Sequence, residues 1–198
     1  MSVAVVKLGV GNTASVMFAL ERLGAPAILT DDAARIAEAE RVILPGVGAA
    51  AHAVSLLAQK GLREVVCAFR RPFLGVCLGQ QLLYRASEEG DAPGLAVLPG
   101  VVAKLPGTPQ APAPHMGWSR LRIAHTDPLL QGVDDGAYVY FVHSYVCPLG
   151  AETLATAAYG VEFSAVVGRG NFYGCQFHPE RSGAVGARIL ANFLSLPC

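Results

Sequence analysis

The chain has 198 residues, enough for one well-buried domain and too few for two ordinary ones. Fifteen basic residues balance fifteen acidic ones at a net charge of zero, which leaves no electrostatic footprint for nucleic acid or an anionic membrane. Hydrophobic residues make up 53% and charged ones 15%, yet no run approaches the roughly 18 apolar residues of a membrane span, so the apolar excess is expected in a fully covered sheet.

Read in chain order, the first half alternates β-branched runs with helical patterns. Strands are predicted over Val3 to Leu8, Ala27 to Leu29, Arg41 to Leu44 and Pro72 to Val76. Helices are predicted over Ala14 to Leu23, Ala33 to Ala39, Ala50 to Gln59 and from Leu78 to Leu83. This alternation predicts βαβ units around a mainly parallel sheet, whose strands are apolar throughout because both faces are covered. The loops after the first, third and fourth strands are glycine-rich, "GVGN", "PGVG" and "CLGQ", and are predicted to share the rim at the carboxyl ends of the strands, where such sheets bind ligands.

From Gly90 to Pro114 the pattern loosens, and "LPGTPQAPAP" reads as an exposed proline-rich loop and not as a domain boundary. Short strands are then predicted over Ala137 to Val142, Thr153 to Ala158, Ser164 to Val167 and Asn171 to Gln176, paired antiparallel at one side of the sheet. A closing helix begins near Gly183 and carries Val185, Ile189, Leu190, Phe193 and Leu194 on one face. The opening "MSVAVVKLGVGN" reads as a strand and not as an export leader. Five scattered cysteines without a CxxC pair or metal-ligand spacing read as reduced thiols, and together these features predict a cytoplasmic protein.

Cys77 stands at the corner where a strand turns at once into a helix, between Gly75 and Gly79. A thiol placed there stands above the sheet edge, with backbone N–H groups of the helix start aimed at its reaction zone. Gly-x-Cys-x-Gly is thus the thiol counterpart of the Gly-x-Ser-x-Gly elbow, set against the commoner fate of cysteine as a small buried hydrophobe. Of five histidines, His178 alone lies just past an apolar strand at the expected rim, with Glu180 two residues on; a carboxylate there fixes the imidazole tautomer and stabilises the imidazolium. His52 and His125 read as surface residues.

Gly75-Val76-Cys77-Leu78-Gly79-Gln80-Gln81, Pro45-Gly46-Val47-Gly48 and Phe177-His178-Pro179-Glu180 together resemble the class I (triad) glutamine amidotransferases, in that family's order. Within it, "LGVGNTASVMFALERLG", "PHMGW", "YFVHSY" and "QFHPERSGAVG" are similar to the branch of glutaminase subunits of imidazole glycerol phosphate synthases, over nearly the whole chain.

The resemblance implies a flavodoxin-like, open, mixed but mainly parallel α/β sheet forming a single domain over 1–198, with no metal or organic cofactor. It implies that Cys77 attacks the side-chain amide of glutamine, with His178, oriented by Glu180, moving protons. The oxyanion hole would combine the N–H of Leu78 with one from Val47 or Gly48, after a rearrangement of the Gly46 to Gly48 loop that a partner induces. Gly46, Gln81, His143, Ser144 and Tyr145 would hold the substrate. Asn12, Met116, Trp118, Tyr138 and Arg181 would face a cyclase subunit, in a heterodimer to which ammonia passes for histidine biosynthesis; for Trp118 the competing reading is a core or surface plug.

Four positions depart from that branch: Lys7-Leu8 stands in place of an acidic residue and tyrosine, Arg181 in place of lysine, and Gln80 in place of methionine. A cysteine peptidase or thiol chaperone of the same superfamily usually lacks the His-Pro-Glu motif. A pseudoenzyme would require an altered triad member.

Overall fold

The computed structural model of the protein describes residues 2–9 and 13–198. Strand β1 (Val3–Val6) is buried along its length and leads, beyond residues 10–12, into helix α1 (Thr13–Arg22). There follow β2 (Ala27–Thr30), α2 (Ala33–Glu38), β3 (Arg41–Gly46), α3 (Ala50–Gln59), α4 (Leu62–Ala68), β4 (Phe73–Cys77) and α5 (Leu78–Leu83). Asp32 starts α2 by accepting from the N–H groups of Ala34 and Arg35 at 2.8 and 3.2 Å, the usual side-chain cap of a helix's first free donors.

The second half is richer in strands than the sequence pattern predicts. It runs through β5 (Tyr84–Ser87), β6 (Ala92–Pro93), β7 (Leu98–Lys104), β8 (His115–Arg120), β9 (Arg122–Ile123), β10 (Tyr138–His143), β11 (Tyr145–Val146), β12 (Thr153–Tyr159), β13 (Val161–Arg169) and β14 (Phe172–Cys175) before the closing α6 (Gly183–Ser195).

Eight strands form the main sheet in the order β2-β1-β3-β4-β14-β13-β12-β9. The first five are parallel, and β13, β12 and β9 extend them with antiparallel pairings. Alternate side chains of β1 show why the strands are apolar throughout: Val3 and Val5 pack in the cluster with Val16 and Leu20 of α1 and Phe193 of α6. Ala4 and Val6 pack in the opposite cluster with Ile36, Ala53 and Val66 of α2, α3 and α4. Both faces are therefore buried under helices, and this is the open, mainly parallel, helix-covered sheet expected of the flavodoxin-like class.

Two expectations change. The stretch from Gly90 to Pro114 is irregular at 94–97 and from Leu105 onward, but between them β7 joins β5, β6 and β11 in a four-stranded sheet of its own. Strand β10 does not join the main sheet but pairs with β8 in a separate two-stranded antiparallel ribbon. A helix, α4, was not predicted, because Val65 and Val66 weaken the helical signal of a seven-residue segment. Among the described residues no helix is long and apolar enough to cross a membrane, and no cluster of side chains could hold a metal ion.

Candidate active site

Cys77 ends β4 with φ 55° and ψ −108°, a backbone conformation that L-residues avoid and that aims its side chain off the sheet edge. The two glycines that frame it are required by close approach. A Cβ on Gly75 would lie 2.4 Å from the carbonyl oxygen of Gly79, and one on Gly79 would lie 1.9 Å from that of Leu44 in β3. The turn is thus wedged between two backbones that only glycine lets come together.

The carboxyl end of β3 runs into the Gly46 to Gly48 loop beside it, in register with Cys77 through the Gly46–Cys77 pair. A Cβ on Gly46 would meet that of Leu78 at 2.9 Å, so this glycine lets the loop rest on the start of α5. Val47, Gly48 and Leu78 all line a cavity of about 490 Å³ with Cys77, Gln81, Glu89, Val142, His143, Ser144, Tyr145 and His178. Gly48 has φ +101° with open space around it, so its glycine serves the backbone turn and not a tight contact. Val47 is half-exposed at the mouth.

His178 approaches from β14, the neighbour of β4, and its Nδ1 is 2.9 Å from Oε1 of Glu180. The main chain anchors this turn to the ribbon: the N–H of His178 donates to Tyr140 O at 2.9 Å, and Ser182 Oγ accepts from Tyr140 N at 3.0 Å while donating to His178 O at 2.7 Å. Burial opposes a charge on His178, but interaction with the Cys77 sulfur and the Glu180 carboxylate outweighs it and pushes the imidazole up to about 10. The pair therefore favours the imidazolium once the Cys77 proton has moved to His178, because the sulfur anion and the carboxylate are what stabilise the charge. Among the described residues Glu180 Oε2 has no hydrogen-bond partner, so the carboxylate serves His178 alone.

Gln81, on α5, turns its side-chain nitrogen inward, donating to Tyr145 O at 3.1 Å and to Gln176 Oε1 at 3.0 Å. His143 lines the cavity and is buried, its Nδ1 donating to Tyr145 O at 2.8 Å and its Nε2 facing His115 Nδ1 at 2.9 Å. Burial lowers both His115 and His143 to about 4, so both are neutral near pH 7.

The residues expected at a partner face divide. Asn12 lies outside the described residues. Met116 and Trp118 on β8 and Tyr138 on β10 project from the outer face of the ribbon, 64%, 54% and 49% exposed, so Trp118 is no core plug. Arg181 is exposed and lies over the ring of Tyr140, 5.6 Å from its centroid. Val142, directly opposite Met116 in the ribbon, also lines the cavity, so one face of the ribbon runs from the exposed aromatics to the site.

Two cavity neighbours were not anticipated. Glu89, whose Oε2 accepts from Ala50 N at 2.7 Å, lies in a turn with no periodic signal to mark it. Gln176, whose Nε2 is 3.8 Å from Cys77 Sγ, follows directly on β14, the strand beside the one that carries Cys77, so its place one step beyond the strand end could have marked it. His52 and His125 are exposed, as expected.

The family model of glutamine amidotransferase class-I matches residues 5–196. Curated relatives include the imidazole glycerol phosphate synthase subunit HisH of Xylella fastidiosa, 48% identical over 98% of this chain and 97% of that one. That of Shewanella oneidensis is 46% identical over 98% and 96%, and HisH 2 of Legionella pneumophila 48% identical over 98% of both. Among solved structures, a glutamine amidotransferase superposes with a TM-score of 0.75 at 22% identity, covering 97% of this chain and 96% of that one. PurLQS of Thermotoga maritima superposes at 0.72 and 19%, covering 98% and 97%, a likeness of fold.

Proposed function

The chain belongs to the class-I glutamine amidotransferases, and from that premise we propose how it works as the glutaminase subunit of an imidazole glycerol phosphate synthase. The observation that carries the chemistry is the convergence of Cys77, His178 with Glu180, and the N–H-bearing Val47, Gly48 and Leu78 on one cavity. Proximity of nucleophile, base and oxyanion donors to one space is what amide hydrolysis through an acyl-enzyme needs.

In this reading Cys77 gives its proton to His178 and attacks the side-chain amide carbon of glutamine. The oxyanion that forms is met by the N–H of Leu78 and by one from the Gly46 to Gly48 loop. His178 then protonates the departing ammonia, leaving a glutamyl thioester that water opens to glutamate, and Glu180 holds the imidazolium throughout. Gln81, with its nitrogen committed inward, offers its oxygen to the cavity, and Glu89 supplies a carboxylate; both suit the α-ammonium of the substrate. Ser144 and Tyr145, which line the same cavity, are placed for its carboxylate. All required groups are side chains and backbone amides, so the proposal includes no metal or organic cofactor.

We assign the outer face of the ribbon, with Met116, Trp118, Tyr138 and Arg181, to a separate cyclase subunit that receives the ammonia in a heterodimer. Ammonia released to water at neutral pH becomes largely ammonium, which is not nucleophilic, so a covered route favours product. Because β10 bonds directly to the His178 turn and borders the cavity, docking there is well placed to settle the Gly48 loop into its donating form. We read residues 1–198 as one domain acting in the cytoplasm.

The deciding experiment measures glutamate release from glutamine by the chain alone and with the cyclase and its ribulosyl nucleotide ligand. Cys77→Ala is the control. A rise that requires both Cys77 and the liganded cyclase is expected; turnover indifferent to the cyclase would overturn the subunit assignment.

A further inference from the structure

Gln176 directly follows Cys175, the last residue of β14, and precedes the bend that carries His178, while Cys175 and Phe177 lie in the core cluster that also holds Cys77. Cys175 pairs with Val76 in the parallel ladder, so the next step along it brings Gln176 beside Cys77. Gln176 is fully buried, and its Nε2 lies 3.8 Å from Cys77 Sγ.

The orientation of this amide is fixed by its neighbours. Tyr145 O can only accept, so the group of Gln81 that faces it at 3.1 Å is the NH₂, and the same nitrogen faces Gln176 at 3.0 Å. Cys147 Sγ also faces Gln176 Oε1, at 3.5 Å. Burial pushes Cys147 up to about 12, so it remains a thiol able to donate. The Gln81 NH₂ therefore fixes the oxygen end of the Gln176 amide, since a flipped amide would set two NH₂ groups against each other, and the Cys147 S–H donates to the same end. The N–H end is left facing the nucleophile.

The Cys77 thiol faces a second group, the carbonyl of Val142, at 3.5 Å. A carbonyl accepts from S–H and so favours the neutral sulfur; a sulfur anion gains nothing from it and needs donors. We propose that Gln176 is a catalytic residue beyond the triad, whose side-chain N–H donates to the Cys77 sulfur and holds it as the thiolate. In that step the S–H bond breaks, the proton passes to His178 Nε2, the electron pair stays on sulfur, and the Gln176 N–H···S⁻ contact replaces S–H···O=C to Val142. Gln176 undergoes no covalent change. Gln81 acts through it, as a positioning residue. The inference deepens the glutaminase reading, but ionisation of the sulfur can be read without glutamine.

The test is the rate at which iodoacetamide alkylates Cys77 in the full chain between pH 6 and 10, followed by mass spectrometry of the Cys77 peptide. Gln176→Met, similar in length but lacking the donor, is expected to slow alkylation about tenfold at pH 7 and less than twofold at pH 10. Gln176→Glu, which places an anion beside the sulfur, is expected to slow it further at pH 7. A merely structural role would leave the pH dependence as in wild type, and superimposable profiles in folded variants would overturn the proposal. Should neither variant fold by circular dichroism, Gln81→Met decides, since it frees the amide while keeping Gln176: a slowing of about threefold at pH 7 supports the assignment, and an unchanged profile overturns it. Failure of the glutaminase reading shows separately, as absence of glutamine turnover in wild type while the alkylation difference persists.

Discussion

His115 donates its Nδ1 proton to Nε2 of His143 across 2.9 Å, inside the ribbon that separates the exposed aromatics from the cavity. The direction follows from the chain of partners. Tyr145 O fixes the proton of His143 on Nδ1, its Nε2 must then accept, and His115 Nε2 is left to accept from Ser119 Oγ at 2.9 Å. The His115 ring is also clamped between Tyr159 and Phe141, with centroids at 4.1 and 4.8 Å. Both imidazoles bind a proton less readily folded, near 4, than at their ordinary 6.5. Their contribution to stability is therefore present above pH 6.5 and is lost as the pH falls from there toward 4, on the order of 3 kcal/mol for each. Denaturant unfolding at pH 7.5 and 5 is expected to show part of this loss, about 2 kcal/mol for each ring by pH 5, reduced by about half in His115→Gln. An identical acid loss in that variant would place its origin elsewhere.

Gly79 and Gly48 flank the same cavity for different reasons, so alanine at each should fail differently. At Gly79 the added Cβ meets the backbone oxygen of Leu44 at 1.9 Å, an atom that cannot move without opening the β3–β4 ladder. Gly79→Ala is expected to destabilise by about 3 kcal/mol or more. At Gly48 there is open space but φ is +101°, so alanine carries only conformational strain of about 1–2 kcal/mol. Gly48→Ala is therefore expected to stay folded and to lose glutaminase activity at least tenfold, through the loop's conformation. Thermal melting alongside glutamate release separates the two, and equal melting losses would contradict the distinction.

Those glycines also show what a sequence can disclose. The elbow at Cys77 and the His-Pro-Glu turn were legible because each is local: an apolar strand, a small-residue corner, and groups two residues apart. The parallel half of the sheet was legible because short β-branched apolar runs such as VAVV alternate with helical patterns, as strands covered on both sides do. The ribbon was not, because β8 and β10 are separated by a long connection and their pairing is set by the tertiary contacts of His115, Phe141 and Phe163. Strand β7 was hidden by Pro99 and Gly100 within it. Glu89 gave no signal at all, since its place in the cavity depends on a turn that brings its carboxylate to the start of α3.

Trp118 and Tyr140 face each other across the ribbon, with ring centroids 5.8 Å apart, and Arg120 lies over Tyr138 while donating to its hydroxyl at 2.9 Å. These groups pack on one another and not on the core, so removing one should leave the fold nearly as stable. Trp118→Ala is expected to change unfolding free energy by less than about 0.5 kcal/mol. As a large aromatic at the centre of the proposed docking face it should behave as an anchor, weakening association with the cyclase by about 2 kcal/mol, or roughly 30-fold. Calorimetric titration reads the affinity; unchanged binding would remove this face from the interface.

In the proposed mechanism Glu180 sets the upper pH limit of catalysis through His178, whose Nδ1 it holds at 2.9 Å. Burial alone would lower the imidazole, and the Cys77 sulfur and the carboxylate together raise it to about 10. Because the folded state binds this proton more tightly than the unfolded chain does, the interaction stabilises fully below about pH 6.5 and is lost as the pH rises through about 10. The same proton is the one His178 must hand to departing ammonia, so activity in the complex should persist to alkaline pH and fall as the imidazolium is lost. Glu180→Gln keeps the shape and one oxygen but removes the charge. The alkaline limb of kcat/KM is therefore expected to move to lower pH, and kcat to fall roughly 10²-fold or more as the imidazolium loses its counter-charge. A pH–rate profile that drops in height without moving its alkaline limb would mean that Glu180 only orients the ring, and that the charge on His178 is sustained by the Cys77 sulfur instead.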